Sequence, residues 1–473
     1  MNKTKSLDKI NLFTLIMITS AFCVSIRNLP TIAEMGMKMI FFGVLAGLTF
    51  FIPSALISAE LATGWPKLGG VCVWVRQAFG ERWGFITAWL QWIYTTFSMI
   101  AILYFISGSL AYIFAPSISD NKLYLIITSL IILWTFTFLN MRGLKISGKI
   151  STIGFLSGVL FPALLIIFLG VLYPLMGNPI ALDISLTKEN LLPNFSDITT
   201  LVLLVGFMRA FAGIEASAVH ANAVNNPSRN YPIAILIVVI FGLLINIVGS
   251  LSVAIVVPQS EISLVTGIMA AFSVFFKKFN LAWLAPVLGF LVAVGQMGGA
   301  ATWLIGPVKG LYVQAKNGDF PPFFQRVNSK GIPTNLVIMQ AIWISLVSIV
   351  VLSMKTVNIA FWFSVAVSVM IYVTVYFLMF LSALRLRYKE PNTPRKYRIP
   401  FGNVGIWIIA CVGMLMNICS FTIALFPPAQ LPEENKKLYT VIVAAIVVFV
   451  FICPFVIHAC KKPSWKIQDR EEA

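Results

Sequence analysis

Charge is what this sequence has least of. Only 11% of its residues are charged and 59% are hydrophobic, with a mean hydropathy of +0.91. A soluble domain carries about 25% charged residues, so a soluble globular protein is excluded. Histidine is nearly absent, with only His220 and His458 in 473 residues. The six cysteines (Cys23, Cys72, Cys411, Cys419, Cys453, Cys460) show no metal-type spacing. They read as free thiols behaving as small hydrophobes, and a metal centre or a Ser–His hydrolase has too few parts. A phosphate-binding glycine loop is also missing, which leaves ATP-driven work by this chain unsupported. The sequence is therefore not read as an enzyme, and no metal or cofactor is expected.

Long apolar runs fill the space that charge leaves. Segments long enough to span a bilayer, at least about 18 residues each, fall at roughly 11–36, 38–63, 83–114, 122–140, 149–174, 196–222, 232–257, 280–313, 335–353, 357–384, 404–426 and 438–460. These predict an all-α integral membrane protein of about twelve helices. The first run follows Lys3, Lys5 and Lys9 but lacks a small-residue cleavage site, so it is expected to remain as the first helix. The net charge of +17 is a topology signal: with the amino terminus inside, alternate connections carry 24 inner and 8 outer Lys and Arg residues. This bias follows the positive-inside rule, so both termini are expected to be cytoplasmic. Nucleic acid is not implied.

Two spans carry charges at corresponding places in two similar halves. LIMITSAFCVSIRNLPTIAEMG holds Arg27 just before Pro30, and LVLLVGFMRAFAGIEASAVHANAV holds Arg209 and Glu215 on either side of Gly213. Ionisable groups in a span are costly and face a protein-lined cavity, and paired interrupted spans point to a transporter's substrate site. Unwinding frees backbone groups that hydrocarbon cannot satisfy, while beside a cavity the freed amides suit a carboxylate. Gly213 permits unusual dihedrals, although a packing glycine is the plainer alternative. Pro30 perturbs the turn before it, and Ser25 and Asn28 can satisfy freed backbone groups. Between the spans, 64–85 and 313–335 are expected to carry short surface helices, and 385–405 is basic and proline-broken.

AELATGWPKLGGVCVWV after the second span, FAGIEASAVHANAVNNPSRNYPIA across the sixth and GPVKGLYVQAKNGDFPPFFQRVNSKGIPTN after the eighth resemble the amino acid–polyamine–organocation family. Within it the chain is similar to the bacterial glutamate/GABA antiporters. The resemblance implies a ten-helix core with a LeuT-type 5+5 inverted repeat over 1–384, a basic cytoplasmic loop at 385–403, two extra helices within 404–460 and a short tail at 461–473. It implies alternating access, with helices 1 and 6 broken at the substrate. The substrate-facing stretches are then Cys23, Val24, Ser25, Ile26 and Arg27 on helix 1, and Arg209, Phe211, Ala212 and Gly213 on helix 6. Many relatives carry a Gly-Ser-Gly-like stretch where this chain has Cys23-Val24-Ser25.

Arg209 falls where arginine/agmatine exchangers of the family place a gating tryptophan. A guanidinium there repels a cationic substrate and offers a fork to a carboxylate; Arg27 can do the same. The alternative is an internal pair with Glu215, which otherwise takes a structural or gating role. Tyr94 matches the site-facing part of helix 3, and Trp303 the helix-8 tryptophan that borders substrate in arginine exchangers. Trp362 and Ser364 in the tenth span are further pathway candidates, and Glu60 is expected at an inner gate or loop anchor. Span five lacks the lysine that some proton-coupled members use, which favours exchange over proton symport. The short tail implies no plug closing the protein at neutral pH.

The expected function is a secondary amino acid transporter of the bacterial inner membrane, an exchanger for a carboxylate-bearing acidic or neutral amino acid. A proton symporter, a non-transporting sensor and a channel remain as alternatives. The partners expected are a small amino acid and the lipid bilayer, with homo-oligomerisation left open.

Overall fold

In hydrocarbon a chain this apolar satisfies its backbone only by coiling into helices or closing a barrel. The computed structural model describes residues 10–66, 69–142, 153–217, 224–352, 354–428, 431 and 433–466, and among these it contains helices but no strand beyond an isolated bridge between Ile10 and Val224. Eleven helical segments among the described residues are long and apolar enough to cross a membrane. The remaining expected span, 196–222, is interrupted twice, by a turn at 202–203 and by its break at 211–213, and residues 218–223 lie outside the described set.

The first span is α1 (Leu12–Cys23) and α2 (Leu29–Ala33), joined through a 3-10 turn at Ile26–Asn28. Next come α3 (Lys38–Gly64), the short helix α4 (Val71–Phe79), α5 (Glu81–Phe114), α6 (Lys122–Met141) and α7 (Ile153–Leu175). The second half holds α8 (Leu204–Ala210), α9 (Pro227–Val256), α10 (Gly267–Lys278), α11 (Leu284–Gln314), α12 (Thr334–Leu352), α13 (Val357–Lys389), α14 (Gly402–Ile423) and α15 (Glu433–Ala459). The face reached by the start of α1 and the ends of α3, α11 and α13 is termed the basic face.

Burial orders the helices. α5 and α13 are 78% and 83% buried over their most apolar windows and form the centre, whereas α15 is 22% buried and peripheral. α15 is the most apolar of the three, so apolarity alone does not mark the central helices, and packing separates a helix meant for protein from one meant for lipid.

Three boundaries differ from the sequence expectation. The 64–85 connection does hold a short helix, α4, but it packs into the protein with Val71, Cys72, Trp74, Val75 and Ala78 buried, and in place of a second helix in 313–335 there is a π turn at Ala315–Asp319 and a 3-10 turn at Pro322–Gln325. Gly318 at φ 84° bends this stretch, a conformation that glycine adopts without cost. The tenth span runs past 384 to Lys389, because its last turn is held by side chains: Arg387 binds Glu60, and Arg385 lies over the Phe79 ring at 4.8 Å. α10 was not anticipated.

Candidate substrate site

The two breaks are made differently. In the first span Val24 and Ser25 are extended (φ −108°, ψ 118° and φ −147°, ψ 130°), a region open to any residue. This explains how Cys23-Val24-Ser25 breaks a helix with no glycine. The chain re-enters a helix with Pro30 in the first turn of α2, where a missing N–H costs nothing, and no side chain caps the turn that follows Ser25.

In the sixth span the break needs its glycine. Gly213 has φ 111°, and a Cβ there would stand 2.8 Å from the carbonyl oxygen of Phe22. Its N–H donates to the Tyr376 hydroxyl at 2.9 Å, and the Tyr372 and Tyr376 hydroxyls both donate to the Glu215 carboxylate. Glu215 and Gly213 are thus tied to α13 through two tyrosines. Replacing Gly213 with alanine forces a left-handed φ and a backbone clash, an expected cost of about 1–3 kcal/mol. Thermal unfolding of the detergent-solubilised variant checks this; an unchanged midpoint would show that the break tolerates a Cβ.

Two small cavities adjoin the breaks. The first, about 40 Å³, is lined by Phe22, Val24, Ser25, Arg27 and, from α7 and α11, residues including Phe155, Gln296 and Trp303. The second, about 10 Å³, is lined by Phe50, Tyr94, Met208, Arg209, Ala212 and Tyr372, among others. Trp303 and Tyr94 meet edge to face at 6.1 Å, which places this ring pair between the two spaces. Tyr94 also stacks on Tyr372 at 3.9 Å, and Phe22 meets Trp303 edge to face at 5.8 Å.

Arg209 is buried, and its Nε and Nη2 have no hydrogen-bond partner; its guanidinium lies 5.1 Å from the Phe361 ring centre. The internal Arg209–Glu215 pair does not form among the described residues, because the carboxylate is engaged by the two tyrosines. The Nε of Arg27 is likewise buried and unpartnered. A cation–π contact stabilises by about 2 kcal/mol when desolvated, less than the several kcal/mol needed to bury an ion. Arg209 is therefore held at a cost.

Val24, Ser25, Arg27, Trp303, Tyr94, Arg209 and Ala212 converge on the cavities, with Gly213 at the break. The other sequence candidates lie away from both. Cys23 donates its thiol to the Thr19 carbonyl at 3.1 Å, Ile26 is fully buried, and Phe211 stacks on Phe51 at 4.4 Å. Ser364 donates to the Phe97 carbonyl at 2.6 Å, which joins α13 to α5. Trp362 donates its indole N–H to Glu34 at 3.2 Å, at the end of the first span. Glu60 sits at the basic face, where its carboxylate accepts from Arg387 at 2.7 and 2.5 Å and from the Ile399 amide at 2.8 Å, with Arg395 at 3.5 Å.

Sequence reasoning missed Gln296, Tyr372 and Tyr376. Gln296 had a signal, being a lone amide in the apolar stretch LVAVGQMGG. The tyrosines had none, since α13 is rich in aromatics and only packing shows which of them reach Glu215.

A bundle of membrane helices, two of them interrupted beside a polar cavity, defines a membrane transporter. The family model for amino acid permeases matches residues 10–452, and the chain belongs to that family, within the amino acid–polyamine–organocation superfamily. It is therefore an integral, multi-pass membrane protein. It is 39% identical over 453 residues to an uncharacterised transporter of Legionella pneumophila, covering 96% of this chain and 97% of the relative. It is 35% identical over 456 residues to a glutamate/gamma-aminobutyrate antiporter of Lactococcus lactis, covering 95% and 90%. A polyamine transporter of Oryza sativa is 26% identical over 403 residues, covering 84% and 67%.

Proposed function

We propose that this permease is a secondary active exchanger for amino acids bearing a carboxylate, glutamate/GABA-like in substrate class. The observation that carries this reading is Arg209, a buried guanidinium with unpartnered donors at a cavity, beside a glutamate already engaged by two tyrosines. Such a site favours a carboxylate and disfavours a polyamine. The 35% identity to a glutamate/gamma-aminobutyrate antiporter supports the same class.

The mechanism is alternating access about a LeuT-type core of two five-helix repeats, with α14 and α15 outside it. The basic face is the cytoplasmic one, carrying both termini, and the membrane is the bacterial inner membrane. The cavities of about 40 and 10 Å³ are separate spaces on either side of the Tyr94–Trp303 ring pair. Substrate entry therefore requires the Tyr94–Trp303 pair to part, joining the two spaces. Closure of the rings over bound substrate then forms the occluded state through which an exchanger must pass.

Counterflow in proteoliposomes tests the function. Vesicles preloaded with unlabelled glutamate or GABA are expected to take up labelled glutamate several-fold faster than empty ones. Equal rates would point to a channel, uptake into empty vesicles driven by an imposed proton gradient to a symporter, and no flux across an amino acid panel to a sensor.

A further inference from the structure

We propose that Gln296, with Arg27, receives a second carboxylate of the substrate and so sets the preference for dicarboxylic over monocarboxylic amino acids. The inference rests on the exchanger reading above and deepens it.

Positive charge is divided between the two cavities. Arg209 borders the smaller one and Arg27 the larger, with the Tyr94–Trp303 ring pair between them. Once the rings part, the joined space has a cation at each end, which matches a molecule with two anionic groups. Among the described residues, no Asp or Glu lines the larger cavity to compete for Arg27. A monocarboxylic substrate would satisfy only one end.

Among the described residues, Gln296 is the one side-chain amide lining the Arg27 cavity, and it is 5% exposed. Its Oε1 accepts from the Ser25 hydroxyl at 3.4 Å, across from α11 to the first break. That distance is at the outer limit of a hydrogen bond, so the contact does little to hold two helices together. It does turn the oxygen towards Ser25 and leave the Nε2 donors for another acceptor. A primary amide carries two such donors, and burying it without full hydrogen bonding is unfavourable. A carboxylate seated against Arg27 supplies the acceptor. The competing role is purely structural, a polar link between the first span and α11, and it would affect all substrates alike.

The test is substrate discrimination in counterflow. Gln296→Met keeps the volume and removes the amide; glutamate transport efficiency (kcat/KM) is expected to fall about ten- to a hundredfold, the scale of one hydrogen bond to a charged group, while that for GABA changes less than about threefold. Gln296→Glu places a carboxylate beside Arg27 and is expected to shift the ratio at least as far in the same direction. Thermal stability of each purified variant is measured alongside, and Gln296→Asn serves as a milder second variant if the others do not fold. Equal losses for both substrates, or an unchanged ratio, overturn this inference while leaving the exchanger reading intact. If the wild-type protein moves neither substrate, the exchanger reading fails and this inference falls with it.

Discussion

Arg209→Leu is expected to abolish carboxylate-substrate uptake while raising the thermal stability of the purified protein. The two effects have one origin. The guanidinium is buried with Nε and Nη2 unpartnered, against the Phe361 ring 5.1 Å away. Burying an ion costs several kcal/mol, against about 2 kcal/mol from a desolvated cation–π contact. Leucine removes that imbalance. A bound carboxylate, conversely, loses a charge-assisted partner in a dry site, which typically weakens binding by 2–5 kcal/mol, or about thirty-fold or more. Uptake in proteoliposomes and melting of the same preparation measure the pair of effects. Lower stability together with lost uptake would indicate a structural residue, and retained uptake across a panel of acidic and neutral amino acids would remove Arg209 from the ligand site.

The second large effect lies far from the cavity. Glu60→Gln is expected to destabilise the protein by about 3–5 kcal/mol, the usual result of removing one partner from a buried ion pair. The Glu60, Arg387 and Arg395 side chains are 2%, 0% and 3% exposed, so water cannot replace the lost carboxylate. Glu60 ends α3, Arg387 ends α13 and Ile399 belongs to the following loop, and the carboxylate holds all three. Around it, Trp65 donates to Glu390 at 2.9 Å, Gln77 donates to Glu390 at 2.6 Å, and the Thr63 hydroxyl donates to the Tyr397 carbonyl at 3.3 Å and accepts from the Tyr397 amide at 3.1 Å. Replacing Arg387 with methionine in the Glu60→Gln background is expected to recover part of the loss, because a well-packed apolar group does not need a counter-ion. Denaturation midpoints of the two variants decide this. No loss in Glu60→Gln would mean that the two arginines have other acceptors sufficient to hold them.

Glu215 shows the limit of reading such a site from order alone. Arg209 and Glu215 stand six residues apart across a glycine, and a mutual ion pair was a natural alternative. The structure engages Glu215 with Tyr372 and Tyr376 instead. Those residues lie about 160 positions away on α13, a distance in sequence that no local pattern bridges. The same holds for Ser364 and Trp362, which face α5 and Glu34. A helix in a fully apolar span has no polar face to show which way it turns, so its rotation is set by the neighbours it packs against.

The amino-acid sequence by itself determined the membrane-spanning character, the order and approximate ends of most spans, the family, and the places where two spans break. Each of these is carried by composition or local chemistry: apolar length, the asymmetry of Lys and Arg between loops, Pro30, and Gly213 with charges around it. Tertiary structure decided which broken-span residues face the cavities, that Arg209 and Glu215 are not partners, that Gln296 lines the site, and that Glu60 joins α3 to α13 and the loop beyond. These depend on helix rotation and on contacts between residues hundreds of positions apart, where packing and the pairing of buried charge outweigh local preference.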